Sequence, residues 1–432
     1  MKKIFLILLV ITFFEKDVFA INLSEALLQA YKNNPELNAE RENIKVSKED
    51  FNISRSEFLP SVTLSGSKSQ ETTEKLTNRS GANVSFNDVD PENQSITIEQ
   101  KLFQGFAGVA GIQKSKIGLS LADAKLLKTE QEVLYKAIEA YSGLVFAKEK
   151  LIINQINVNL LERQVETDQA RLERGQITLA DLAQSESSLA GAQAKFIQAK
   201  NELVTFKLVY EKIIGPITNV DDLNKVSDIN LEIPNNLEEA INISKNNNPD
   251  LIIAKLDYDQ SKKDVIIAKA ELSPSATLLF NSSKTDDLSS TLDEREKETA
   301  TATITWPLFK GGKNIASINK SKNLKDRKKL LLNNAIRNND TDVASAWSNL
   351  QLSKSLLDSV LLQVKAAEIA NEGITVEYES GLGRSTLDII QSYSLLLASK
   401  ISLAESERNY LLSEFKLLQA VGNLRNSYLK LQ

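Results

Sequence analysis

Two tetrapeptides stand out for what their side chains can do: Thr178-Leu179-Ala180-Asp181 and Ser385-Thr386-Leu387-Asp388. Each sets a hydroxyl three residues ahead of a carboxylate. At that spacing the hydroxyl accepts from a free N–H of a helix's first turn, and the carboxylate reaches back to the N–H of the hydroxyl residue. A negative charge is also favoured there by the helix dipole. Other chemistry is scarce. The 432 residues include no His and no Cys, which removes thiolate nucleophiles, disulfides, imidazole metal ligands and any triad with a His base. No motif for carboxylate- or lysine-based catalysis stands out. Gly381-x-Gly383 lacks the preceding buried strand and the lysine of a phosphate loop. The sequence therefore predicts no enzyme, no metal and no cofactor. A net charge of −5, with basic residues scattered among acidic ones, is no nucleic-acid-binding profile.

The N-terminus points to export. Lys2 and Lys3 precede an unbroken apolar run from Ile4 to Phe14, and Val18-Phe19-Ala20 fits a signal-peptidase site. That run is too short for a helix to span a bilayer, which takes ~20 residues. Residues 1–20 are expected to be a signal peptide cleaved after Ala20. No later stretch is apolar enough for a transmembrane helix, and a cysteine-free chain suits an oxidising compartment.

The remainder reads as two copies of one plan. Leu23-Ser24-Glu25-Ala26 followed by Asn34-Pro35-Glu36-Leu37 recurs as Leu237-Glu238-Glu239-Ala240 and Asn248-Pro249-Asp250-Leu251. Downstream, Gly105 pairs with Gly311, Gly175 with Gly381, and Gly215 with Gly422. The expected organisation is repeat 1 over 21–215, a linker over 216–234 marked by Pro216 and Pro234, and repeat 2 over 235–432.

Each copy has three parts. The first is helical, with Asn34 or Asn248 as the cap before a proline at the first helical position. Then the period drops to two. Strands are predicted over about 61–69 and 94–104 in copy one, and 275–281 and 299–309 in copy two, with a charged loop over 282–298. Such strands suit a membrane barrel, and the same alternation also fits an ordinary soluble hairpin. At Gly105, and again at Gly311 and Gly312, strand gives way to helix. The helices that follow, about 107–174 and 313–380, extend about 100 Å each at 1.5 Å per residue. Their apolar stripes (Leu134, Ile138, Tyr141 in one; Val343, Trp347, Leu350 in the other) step by three, four or seven and need partner helices. Each long helix ends at a tip glycine, Gly175 or Gly381, ahead of one of the two hydroxyl-x-x-acid starts.

Four strands cannot close a barrel alone, and lipid tolerates no open sheet edge. If the strands span a membrane, several chains share one barrel, and three chains supply twelve strands. The rival reading is a periplasmic or secreted coiled-coil scaffold without a membrane barrel.

The duplicated plan, the two Asn-Pro-acid-Leu starts, Leu59-Pro60-Ser61, Leu308-Phe309-Lys310-Gly311-Gly312 and Gly381-x-x-Arg384-Ser385-Thr386-Leu387-Asp388 together resemble the TolC family. The resemblance covers residues 21–422. It implies a mainly α fold with a β-barrel part: a homotrimeric twelve-stranded outer-membrane barrel continued by a long periplasmic α-helical barrel. It further implies an exit duct of a tripartite efflux pump or type I secretion system in the outer membrane of a Gram-negative bacterium. The implied partners are outer-membrane lipid, a periplasmic adaptor and an inner-membrane ABC or RND-type transporter. Residue by residue, Tyr378 and Arg384 match a tyrosine and an arginine that hold the periplasmic entrance closed, and Asp181 matches an aspartate they contact. Asp388 matches the first of two aspartates ringing the constriction, and Gln391 stands at the second, so the ring carries less charge.

Overall fold

The computed structural model describes residues 22–84, 88–225, 231–289, 292–380 and 383–429. The expected signal peptide and the tip residue Gly381 lie outside the described residues. The chain divides into two compact units, one built from residues up to 38, 129–244 and 341–432, the other from 39–128 and 245–340.

The second unit carries the sheet. Strands β1 (Ser61–Lys68), β2 (Glu92–Gln104), β3 (Ser275–Ser289) and β4 (Leu292–Thr305) lie side by side in chain order, every pair antiparallel. Register sorts the side chains into two faces. Val62, Ile98, Phe280 and Ala300 are cross-strand partners in one row, with Leu278 opposite Ala302 and Ala276 opposite Ile304 in neighbouring rows. Side chains directly opposite share a face, so this face is apolar. The intervening rows, such as Thr63, Thr97, Asn281 and Thr299, are polar. On that face the Asn281 amide donates to Thr97 Oγ1 (2.9 Å) and the Thr285 hydroxyl to Asn93 Oδ1 (3.1 Å).

Of the charged loop expected over 282–298, the described residues 282–289 and 292–298 are instead strand. Cross-strand charge pairing holds them: Lys284 lies opposite Glu296 and sits 2.9 Å from Glu294 and 3.5 Å from Asp286. Unlike charges facing each other across a ladder stabilise it, which a reading of hydrophobic alternation alone misses. At its other end β4 stops at Thr305 rather than running to 309. Pro307 has no N–H for the ladder, and Gly311 and Gly312 turn the chain with φ of +58° and +79°.

Helices in this unit confirm the caps. In α6 (Pro249–Ala270) the Asn248 side chain accepts from the N–H groups of Asp250 (2.9 Å) and Leu251 (3.3 Å). Gly105 has φ +57°, and a Cβ there would lie 2.4 Å from Ser273 Cβ and 2.9 Å from the Ala270 carbonyl oxygen. The junction after β2 therefore tolerates only glycine, for conformation and space together.

From the junctions run α3 (Ala107–Glu173) and α7 (Lys313–Glu379), 67 residues each, which begin in the unit that holds the sheet and end in the other. There they are followed by α4 (Leu179–Ile213) and α8 (Thr386–Ala420), 35 residues each. The short helices α1 (Leu23–Asn33) and α5 (Leu237–Asn247) each cover one core. Leu23, Ala26, Leu27 and Ala30, spaced three and four apart, bury the inner stripe of α1. They meet Leu134, Ile138 and Tyr141 of α3, Tyr210 of α4 and Phe415 and Leu418 of α8. Ala240 of α5 meets Val343, Ala346 and Leu350 of α7 with Leu417 of α8 and Val421, which caps α8. The linker is not loose where it is described: Ile217 and Leu223 enter the α1 core, the Tyr141 hydroxyl donates to the Asn224 carbonyl (2.8 Å), and Lys225 pairs with Glu149 (3.4 Å) and Glu407.

Candidate functional site

The residues singled out for the entrance lie at neighbouring helix ends: Tyr378 in the last turn of α7, Arg384 just before α8, and Asp181, Asp388 and Gln391 in the first two turns of α4 and α8. After α3, the Gly175 N–H donates to the Leu172 carbonyl (2.8 Å) and the Gln176 N–H to that of Arg171 (2.9 Å), closing the helix. Gly175 takes φ +69°, the left-handed value that suits glycine after a helix, and Gly383 (φ +85°) takes one between α7 and α8. Both hydroxyl-x-x-acid motifs are closed capping boxes. Asp181 Oδ2 accepts from the Thr178 N–H (2.9 Å), and Thr178 Oγ1 accepts from the Asp181 N–H (3.3 Å). Ser385 and Asp388 repeat the pattern at 2.9 and 3.3 Å.

These bonds set the electrostatics. The backbone N–H of Thr178, then its hydroxyl, hold the Asp181 carboxyl below the usual carboxylate range. Ser385 does the same for Asp388, with a smaller contribution from the Arg384 charge. A carboxyl with depressed pKa contributes stability above its unfolded pKa and loses it as pH falls through the folded value. Amide protection in the first turns of α4 and α8 is therefore expected to fall on acidification below about pH 4. Hydrogen exchange at Asp181 and Asp388 checks this, and no change between pH 6 and 3 counts against it.

Arg384 is exposed and pairs with Glu377, Nε to Oε2 at 2.5 Å. Asp181 is engaged within its own cap, so within one chain the structure does not bring Arg384 and Asp181 together. Gln391 stands exposed on α8, one turn beyond Asp388.

Tyr378 is different, being buried at the centre of a polar cluster. Its hydroxyl donates to Asp168 Oδ1 (3.0 Å), accepts from Gln164 Nε2 (2.9 Å) and lies 3.3 Å from Thr386 Oγ1. Asp168 also accepts from Gln164 (3.0 Å) and, through Oδ2, from the Ser185 hydroxyl. The Arg171 guanidinium stacks over the Tyr378 ring, 4.3 Å from its centroid. Burial above all, with the Asp168 charge beside it, pushes the Tyr378 phenol up from its ordinary value. The cluster ties all four helices: Gln164, Asp168 and Arg171 from α3, Ser185 from α4, Tyr378 from α7 and Thr386 from α8. Val158, Leu161, Ala192, Ile389 and Ile390 form a buried apolar cluster with Tyr378.

Sequence reasoning missed Asp168, Gln164 and Ser185. A signal existed: Val158, Leu161, Gln164 and Asp168 step by three and four, so two polar residues occupy the register of a buried apolar stripe. Among the described residues no His, Cys, Asp and Glu group could hold a metal ion, and no helix is long and apolar enough to cross a membrane.

Known proteins share this plan. A family model described as outer membrane efflux protein matches residues 26–208 and 240–423, one match per repeat. The chain belongs to the outer membrane efflux protein family. Its relatives include the outer membrane efflux protein BepC of Brucella suis, 26% identical over 412 residues, with 95% of this chain and 87% of that protein covered. The alkaline protease secretion protein AprF of Pseudomonas aeruginosa is 21% identical, with 96% and 87% covered. Among solved structures, the CmeC outer membrane channel of Campylobacter jejuni superposes with a TM-score of 0.81 at 16% identity, covering 93% of this chain and 85% of that one. This efflux-family chain thus has the fold of outer-membrane channels, a helical barrel with a β-barrel part built from an internal repeat. Its family is one of transport proteins.

Proposed function

We propose that this chain is the exit duct through which an inner-membrane transporter, of ABC or RND type and coupled by a periplasmic adaptor, discharges cargo across the periplasm and outer membrane. The observation that carries the reading is the two-faced sheet. It presents an apolar face and a polar face, leaves β1 and β4 as free edges, and leads through two glycine junctions into helices of 67 residues. An edge in lipid needs a partner strand, and three chains joined β1 to β4 give a closed barrel of twelve strands. The polar face then lines a water-filled lumen. Two relatives support both kinds of cargo by name, one an efflux protein and one a protease secretion protein.

In this duct the helix turns form the periplasmic entrance. Asp181, Arg384, Asp388 and Gln391 surround it, and Tyr378 holds the hairpins that carry them. The test is reconstitution. Purified protein is expected to migrate as a detergent-stable trimer and to give discrete conductance steps in planar bilayers. A monomer that stays in the aqueous phase and carries no current sinks the proposal. Neutralising Arg384 or Asp181 is expected to raise conductance at low ionic strength, with less contrast in high salt, where exposed charges are screened. Unchanged low-salt conductance in both variants removes these two residues from the gate.

A further inference from the structure

The turn between β4 and α7 is pinned at both ends. The Trp306 indole N–H donates to the Leu272 carbonyl (3.1 Å), and the Asn314 amide donates to the Glu271 carbonyl (3.0 Å), both just beyond α6. Between these anchors the backbone is fixed further by Pro307 and by the positive φ of Gly311 and Gly312. This held turn presents its least soluble side chains outward. Leu308 is 78% exposed, Phe309 86% and Trp306 63%, and Trp306 continues the parity of Ala302 and Ile304 on the apolar sheet face. Beside them Lys310 and Lys313 are exposed, and neither enters an ion pair among the described residues.

The matching turn of the first repeat differs. It carries Phe103 and Phe106 in edge-to-face contact, centroids 5.5 Å apart, with a single exposed cation, Lys101, ahead of them and none from there to Lys114. Aromatic side chains alone mark a membrane rim. Two free ammonium groups beside them add a chemical preference, because lysine stems lie along apolar surface while their heads reach headgroup phosphates. The sign persists along α7, where Lys320 and Arg327 follow Lys313 at seven-residue spacing on one exposed stripe.

We propose that the turn from Trp306 to Lys313 docks anionic phospholipid: Trp306, Leu308 and Phe309 enter the acyl layer at the rim of the sheet, and Lys310 and Lys313 bind the acidic headgroups. Continuity with the apolar sheet face and charge complementarity single out an anionic lipid surface as the occupant. The proposal rests on the reading of the sheet as part of a membrane barrel.

The chain has two tryptophans, so Trp347→Phe leaves Trp306 as the one indole reporter. The full chain in this background is reconstituted into phosphatidylcholine vesicles doped with brominated phosphatidylglycerol or, at the same mole fraction, brominated phosphatidylcholine. Trp306 emission is expected to be quenched by both, with phosphatidylglycerol favoured on the order of fivefold per lysine. Lys310→Gln with Lys313→Gln is expected to bring the ratio to one while leaving quenching by phosphatidylcholine unchanged. Equal quenching in the parent, or a preference that survives the double substitution, overturns the proposal. No quenching by either lipid overturns the membrane reading of the sheet and the proposal with it.

Discussion

Asp168→Ala is expected to loosen the turn end of the helical hairpins by about 3 kcal/mol or more, because it removes several hydrogen bonds to a charged acceptor at about 1.5–3 kcal/mol each. Asp168 is fully buried, and it is the acceptor on which Tyr378, Gln164 and Ser185 converge. Truncation removes the acceptor those three donors share, and a buried donor left unsatisfied costs about 1–3 kcal/mol. Tyr378→Phe is the milder lesion. It removes one donor to Asp168 and one acceptor of Gln164, but the carboxylate keeps Gln164 and Ser185, so about 1–2 kcal/mol is expected. Native-state hydrogen exchange over residues 386–392 and equilibrium unfolding both read this order. In the duct, Asp168→Ala is expected to raise the fraction of time at high conductance, and Tyr378→Phe to do so less. Equal effects of the two substitutions on stability would show that the carboxylate is not the hub.

Ala302→Arg is expected to stop the protein reaching the outer membrane as an assembled channel, whereas Thr301→Arg leaves assembly intact. The two positions are neighbours in β4 and differ in face. Ala302 lies opposite Leu278 beside the row of Phe280 and Ala300, and Thr301 lies opposite Leu279 among the polar rows. An arginine facing lipid near the bilayer midplane costs about 2–4 kcal/mol, and a shared barrel carries that cost once per chain. An arginine facing a water-filled lumen meets solvent instead. Fractionation and heat-modifiable migration compare the variants. If Thr301→Arg is the one that fails, the lumen and lipid faces are reversed from this assignment.

Legibility varied along the chain in a way that physics explains. The cap at Asn248 and the boxes at Thr178 and Ser385 could be read because a cap is local: three or four consecutive residues supply every atom involved. The junction glycines were legible for the same reason. Strand ends were not, since Lys284 and Glu294 stabilise a ladder only once β3 and β4 are side by side. Tyr378 was singled out from its place before Gly381, but its partners were not, because they lie some two hundred residues away in the other repeat.

By itself, then, the sequence determined the duplicated plan, the alternation of strand and very long helix, the caps and the absence of His and Cys chemistry. These follow from periodicity and from interactions within a few residues. Tertiary structure decided what faces what. It showed that the charged stretch of 282–298 is mostly ladder, that Arg384 turns to Glu377 rather than Asp181 within the chain, and that a carboxylate from the stripe of α3 reaches the tyrosine of α7. A buried charge is tolerated only where donors from several elements converge on it, and that convergence exists only after four helices have come together.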